Sequence, residues 1–116
     1  MRDAFVLHTD EPDSAGGEDT APTPHELLAA SLASCVTTTL AMYARTKAWS
    51  LGDVLVEVEY DAHSAPRHFR VDIRLDGEYE ADQIAWLERA AATCPVRRSL
   101  EAGFAVEEHV HASLLV

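Results

Sequence analysis

Two cysteines, Cys35 and Cys94, are the residues of this sequence best suited to chemistry. A thiolate is a nucleophile and a two-electron reductant, and a second thiol beside it can close a disulfide. The two stand 59 residues apart, so any contact between them has to come from the fold. Without that contact they are small buried hydrophobes, the usual role of a free cysteine. Their surroundings differ. Cys35 falls in a run of small and apolar residues, more than ten positions past the point where a helix would begin. A helix dipole fades within its first turn, so a thiolate at Cys35 calls for a cation from elsewhere. Cys94 precedes Pro95, with Arg97 and Arg98 just beyond. On local features alone Cys94 is the more acidic thiol, at the N-cap of a short helix that Pro95 opens.

Other groups carry weaker signals. His109 and His111 share one face of an extended segment and would suit a metal together with a carboxylate. Nothing nearby completes a ligand set, so a solvated strand is expected. Asp10, Glu11, Asp13, Glu18 and Asp19 form an acidic run. Its spacing does not fit an EF-hand, and it reads as a solvated loop. Gly16-Gly17 is no phosphate-binding loop, and Ser31 and Ser34 have no triad around them. Trp49 and Trp86 suit packing, and Glu26 is explained by a helix cap. No cofactor and no metal are expected.

The elements that must position the cysteines are legible in the pattern. Residues 4–9 suggest a short strand, and residues 10–23 a loop of turn formers and acids. Thr23-Pro24-His25-Glu26 fits a capping box with Pro at the first helical position. A long helix follows, ending near residues 47–50. Leu28, Leu32, Cys35, Thr39 and Met42 share one of its faces, and few charges interrupt residues 27–44. Val54, Val56, Val58 and Tyr60, then Phe69, Val71, Ile73 and Leu75, alternate with polar residues, which predicts an antiparallel hairpin. A second helix spans about residues 80–93, with Ile84, Leu87, Ala91 and Cys94 on one face. Pro95 opens a short helix to about Leu100, with Gly103 beyond it. Residues 104–112 read as a last strand. The order is α+β: an antiparallel sheet packed against a long central helix and a second helix.

With 116 residues the chain suits one domain, residues 1–116. A domain this small buries a limited share of its surface, and dimerisation would help it. The net charge is −11, from 20 acidic and nine basic side chains. That excludes the basic footprint of a nucleic-acid binder and disfavours an anionic membrane surface. No signal-peptide pattern and no run close to a membrane span is read, so a cytoplasmic protein is expected. Disulfides there are transient and catalytic more often than structural.

Two motifs carry a resemblance. Thr23-Pro24-His25-Glu26-Leu27-Leu28-Ala29-Ala30-Ser31-Leu32-Ala33-Ser34-Cys35 resembles the first motif of the OsmC/Ohr family, and Cys94-Pro95-Val96-Arg97-Arg98-Ser99-Leu100 resembles the second. Asp10-Glu11-Pro12 and Gly16-Gly17 resemble the family's approach to the first helix. The resemblance covers roughly residues 5–110. It implies an intertwined homodimer with two active sites at the subunit interface. It implies that Cys35 attacks a peroxide, despite the local case for Cys94, and that Cys94 then closes a disulfide. It implies an apolar pocket favouring organic hydroperoxides, and a dithiol or small thiol as reductant. The family's activating arginine lies in an N-terminal strand region, where this sequence has only Arg2. Its glutamate partner stands ten residues before the first cysteine, where this sequence has His25, with Glu26 beside it. Arg97, Arg98 or a residue of the second subunit are the candidate substitutes.

Three functions follow. The first is a thiol peroxidase for organic hydroperoxides in oxidative stress defence. The second is a non-enzymatic dimer that binds small molecules or senses redox state. The third, a metal module of His109, His111 and a cysteine, is the weakest.

Overall fold

In a computed structural model, which describes residues 5–113, the chain builds its longest element first. Helix α1 covers Pro24–Thr46. Its capping box is complete: Thr23 Oγ1 accepts from the Glu26 N–H at 3.0 Å, and Glu26 Oε1 accepts from the Thr23 N–H at 3.0 Å. Pro24 occupies the first turn, where its missing N–H costs nothing. The helix ends at Lys47, and Ala48 turns the chain through a left-handed conformation (φ 57°). By length and composition α1 reaches that of a membrane span, against the sequence reading. Here it packs on β1 and α2 instead.

Strands β1 (Val54–Asp61) and β2 (His68–Leu75) form the hairpin, pairing from Val54↔Leu75 to Asp61↔His68. Alternation puts Val56, Val58, Tyr60, Phe69, Val71 and Ile73 on the face toward α1 and leaves charge outside. Cross-strand neighbours reinforce the register. Tyr60 and Phe69 stack at 4.8 Å between ring centroids, and on the outer face Arg70 reaches Glu59 at 3.0 Å. Helix α2 (Ala81–Ala92) starts at a second capping box, Glu80 with Gln83. Its approach is tied down by the Tyr79 hydroxyl, which donates to the Leu51 carbonyl at 2.7 Å. Trp49, Trp86 and Tyr43 pack edge to face over the end of α1. Helix α3 (Pro95–Ala102) follows after Thr93 and Cys94.

The core is a stripe of α1, Leu32–Val36–Leu40–Ala44, laid against Leu51, Leu87, Ala90, Ala91 and Cys94. This differs from the predicted face. Leu32 and Thr39 are buried and Cys35 half-buried, but Leu28 and Met42 are exposed. Steps of four follow a ridge inclined to the helix axis, so the buried stripe winds around α1 instead of running straight along it. Ile84, predicted inward on α2, is also exposed.

Residues 5–9 and 104–112 form no strand, against the sequence reading; residue 4 lies outside the described residues. Both segments have strand-like composition, but a strand exists only where an edge pairs with it, and the sheet of this chain consists of β1 and β2. Phe5, Val6, Leu7, Phe104, Val106 and Val110 are exposed as a result. The radius of gyration is 18.5 Å, against about 13 Å for a compact chain of this length.

The acidic run is an ordered loop. The Asp10 carboxylate accepts from the Thr20 hydroxyl at 2.7 Å and from the N–H groups of Glu11, Thr20 and Glu18. Gly17 passes so close to the Glu11 carbonyl that a side chain there would collide with it. The Thr20 hydroxyl and then the amides hold the Asp10 carboxyl down at about 2. The folded value lies below the ordinary one of 3.8, so the ordering is present above that pH and lost as pH falls through about 2. We expect the Glu18 and Thr20 amides to lose hydrogen-exchange protection in Asp10→Asn at neutral pH, with the rest of the protein unchanged. Unchanged protection at both amides would contradict this account of the loop.

Candidate functional site

Cys35 lies in the middle of α1, half-buried, and Cys94 is the N-cap of α3 at 0% exposure. Pro95 forces the residue before it out of helical geometry, and Cys94 has φ −51°, ψ 123°. The chain therefore breaks between α2 and α3 at Cys94, and the first amides of α3 turn toward the cysteines. The Cys94 carbonyl accepts from the Arg98 N–H at 3.1 Å, the first bond of α3. The packing of α3 on α1 brings the two free thiols close enough for each to shift the other's acidity.

The two thiols are driven in opposite directions. Burial pushes the Cys35 thiol up, but the Cys94 thiol, the Val96 backbone N–H and the Thr39 hydroxyl outweigh it and hold Cys35 below its ordinary value. Burial also pushes Cys94 up, and the neighbouring Cys35 sulfur adds to it, while the Arg97 and Val96 amides pull weakly the other way. Of the two, Cys94 is the weaker acid. This corrects the local reading, in which Cys94 was the more acidic thiol. The amides at the start of α3 favour a thiolate as expected, but the sulfur that benefits comes from another helix.

The other candidates are placed as follows. Glu26 is exposed and engaged in the cap of α1. It stands nine residues before Cys35, about 14 Å along the helix axis. His25 sits edge-on to Tyr60, with ring centroids 5.2 Å apart. Within one chain neither is brought to the thiols. The Arg97 guanidinium turns to Glu101 (Nε to Oε1, 3.0 Å), and Arg98 is exposed. Arg2 lies outside the described residues. Thr39 was read only as a position on a helix face. The signal for more was its spacing of four from Cys35, which puts the two side chains one turn apart on the same side.

His109 and His111 lie ring over ring at 6.4 Å, with Glu107 at 3.7 Å from His109. The described residues contain no group of three His, Cys, Asp or Glu side chains able to hold a metal. An apolar groove of about 860 Å³ opens between α1, β2 and α3. Leu28, Leu32, Val36, Phe69, Val71 and Leu100 line it, with Arg67, His68 and Arg97 among the polar residues beside them. Cys35 does not line the groove, although its neighbour Val36 does.

The arrangement places a half-buried thiol with a lowered pKa beside a buried one with a raised pKa. No curated protein matches the sequence. Among solved structures, the chain is similar to a Psychrobacter arcticus 273-4 protein named for osmotic stress induction and detoxification response (TM-score 0.71, 29% identity, 79% of this chain and 69% of the other). It is also similar to an organic hydroperoxide resistance protein OsmC of Legionella pneumophila (TM-score 0.59, 24% identity, 81% and 72%). A third is a Vibrio cholerae protein named for organic hydroperoxide resistance, with captopril in one of its active sites (TM-score 0.60, 23% identity, 81% and 68%). The family model for OsmC-like protein matches residues 16–109, from the ordered acidic loop through both cysteines to the C-terminal arm, and the chain belongs to that family.

Proposed function

We propose that the protein is a cysteine-based thiol peroxidase that reduces organic hydroperoxides, working as a cytoplasmic homodimer. The opposite drive on the two thiols carries this reading, because a peroxidatic cysteine needs a thiolate and a resolving cysteine must wait as a thiol. The Cys35 thiolate attacks the outer peroxide oxygen. The O–O bond breaks, the alkoxide leaves and takes a proton to become an alcohol, and Cys35 becomes a sulfenic acid. The Cys94 sulfur then attacks Cys35, the S–O bond breaks and water leaves with the Cys94 proton. A dithiol returns two electrons and resets the pair. The apolar groove beside Val36 suits an organic tail better than hydrogen peroxide. The names of the Legionella and Vibrio proteins agree with this substrate class. The exposed apolar residues of both terminal segments are the surfaces a second subunit would cover.

The test is consumption of cumene hydroperoxide with a dithiol present, for wild type and Cys35→Ser in parallel. We expect turnover in the wild type and none in the variant. No turnover in either, from folded protein, would sink the peroxidase. A second reading has one observation in its favour: the groove contains no cysteine and could serve binding alone. Retained binding of an apolar ligand by Cys35→Ser, with no peroxidase in the wild type, would select it.

A further inference from the structure

Away from the thiols, metal-ligating side chains gather on the arm that follows α3. His109 and His111 stand two residues apart, with their rings 23° from parallel and the centroids 6.4 Å apart. The Glu107 carboxylate lies 3.7 Å from His109 Nε2, and both side chains are open to solvent. Two imidazoles that share one ion at about 2.0–2.1 Å, each nitrogen about 1 Å from its ring centroid, can hold their centroids up to roughly 6.5 Å apart. The observed pair falls within that reach. A carboxylate beside one ring nitrogen is the usual means of orienting a ligating histidine, because it takes that N–H and leaves the other nitrogen for the ion. The local charge also favours a cation. From residue 103 to residue 116 the sequence has no Lys or Arg, and Glu108 adds a second carboxylate.

We propose that His109 and His111 form a two-histidine site for a divalent late transition ion such as zinc, with Glu107 orienting His109. Imidazole selects such ions over calcium and magnesium, which take oxygen ligands. Among the described residues no third protein ligand completes the set, so water fills the remaining positions and the ion exchanges with solvent. That separates the site from a structural zinc, which is closed by four protein ligands. In an extended segment the two histidines point away from Phe104, Val106 and Val110, which hold the alternate positions. A second subunit that covers those apolar residues therefore leaves the histidines open. The site needs neither cysteine, and the proposal does not rest on the peroxidase reading.

The test is a titration of the full, reduced chain with zinc ion alone, followed by the imidazole carbon–proton NMR signals so that each histidine is read separately from the thiols. The His109 and His111 signals are expected to move together along one isotherm, ahead of those of His8, His25, His63 and His68. In His111→Ala the affinity read at His109 should fall by at least the roughly 10–100-fold that even an outer partner of a ligand costs. Glu107→Gln should weaken the wild-type response by about tenfold. All three side chains are exposed, so the variants should fold as the parent does. An unchanged response of His109 in His111→Ala would overturn the proposal, as would separate isotherms for the two, or six histidines that respond alike. An unchanged affinity in Glu107→Gln would remove the carboxylate from the site.

Discussion

Cys94→Ser is expected to consume a single equivalent of organic hydroperoxide per chain and then stop. Cys94 is fully buried, and serine matches it closely in size, so the site should keep its shape. Cys35 itself is untouched, so the first attack proceeds. The second step fails, because oxygen cannot close the S–S bond that releases water. Cys35 should remain a sulfenic acid, and dimedone should trap it as one adduct on the peptide carrying Cys35. Rapid mixing with limiting and excess peroxide reads the stoichiometry directly. Sustained turnover at the wild-type rate with a dithiol would mean that the reductant attacks the sulfenic acid itself, and Cys94 would lose its role as the resolving thiol.

The largest effect on stability is expected at Leu40. Its side chain is 1% exposed at the centre of the α1 stripe, facing Val71, Ile73, Leu75 and Leu87. Leu40→Ala removes three carbons and leaves a cavity where a strand and two helices meet. The expected loss is about 3–5 kcal/mol, a large part of the roughly 5–15 kcal/mol that holds an ordinary domain together. Met42, two residues on, is 59% exposed. Met42→Ala should change stability by less than about 0.5 kcal/mol. Urea unfolding of both variants checks the pair. Equal losses would mean that the buried stripe of α1 is not the one described.

The elements of the fold with local causes were legible in the sequence. Thr23, Pro24 and Glu26 announce the start of α1, and the alternation through Val54–Tyr60 and Phe69–Leu75 announces the hairpin. Pro95 announces the break at Cys94. The terminal strands were misread because alternation records only a tendency, and Phe104, Val106 and Val110 find no edge to pair with in one chain. The face of α1 was misread because Leu28–Leu32–Cys35–Thr39–Met42 and Leu32–Val36–Leu40–Ala44 are both helical spacings. What the helix packs against decides between them. The relative acidity of the cysteines was misjudged for a similar reason. Val96 is two residues from Cys94 and far from Cys35 in sequence, yet its amide serves Cys35 once α3 packs on α1.

The meeting of mid-α1 with the start of α3 also ties the redox state of the protein to its topology. In the proposed cycle the oxidised chain becomes a ring from residue 35 to residue 94, enclosing the hairpin and α2, with two tails. A ring of that size restricts the unfolded chain, and destabilises it by about 4 kcal/mol at 25 °C relative to the open form. Each peroxide reduced then leaves a molecule that is harder to unfold, and each reset returns the looser one. The coupling runs both ways. Any change that loosens α3 from α1 makes the ring harder to close, and so raises the reduction potential of the pair. Core residues remote from either sulfur thereby set how readily the protein gives up its electrons.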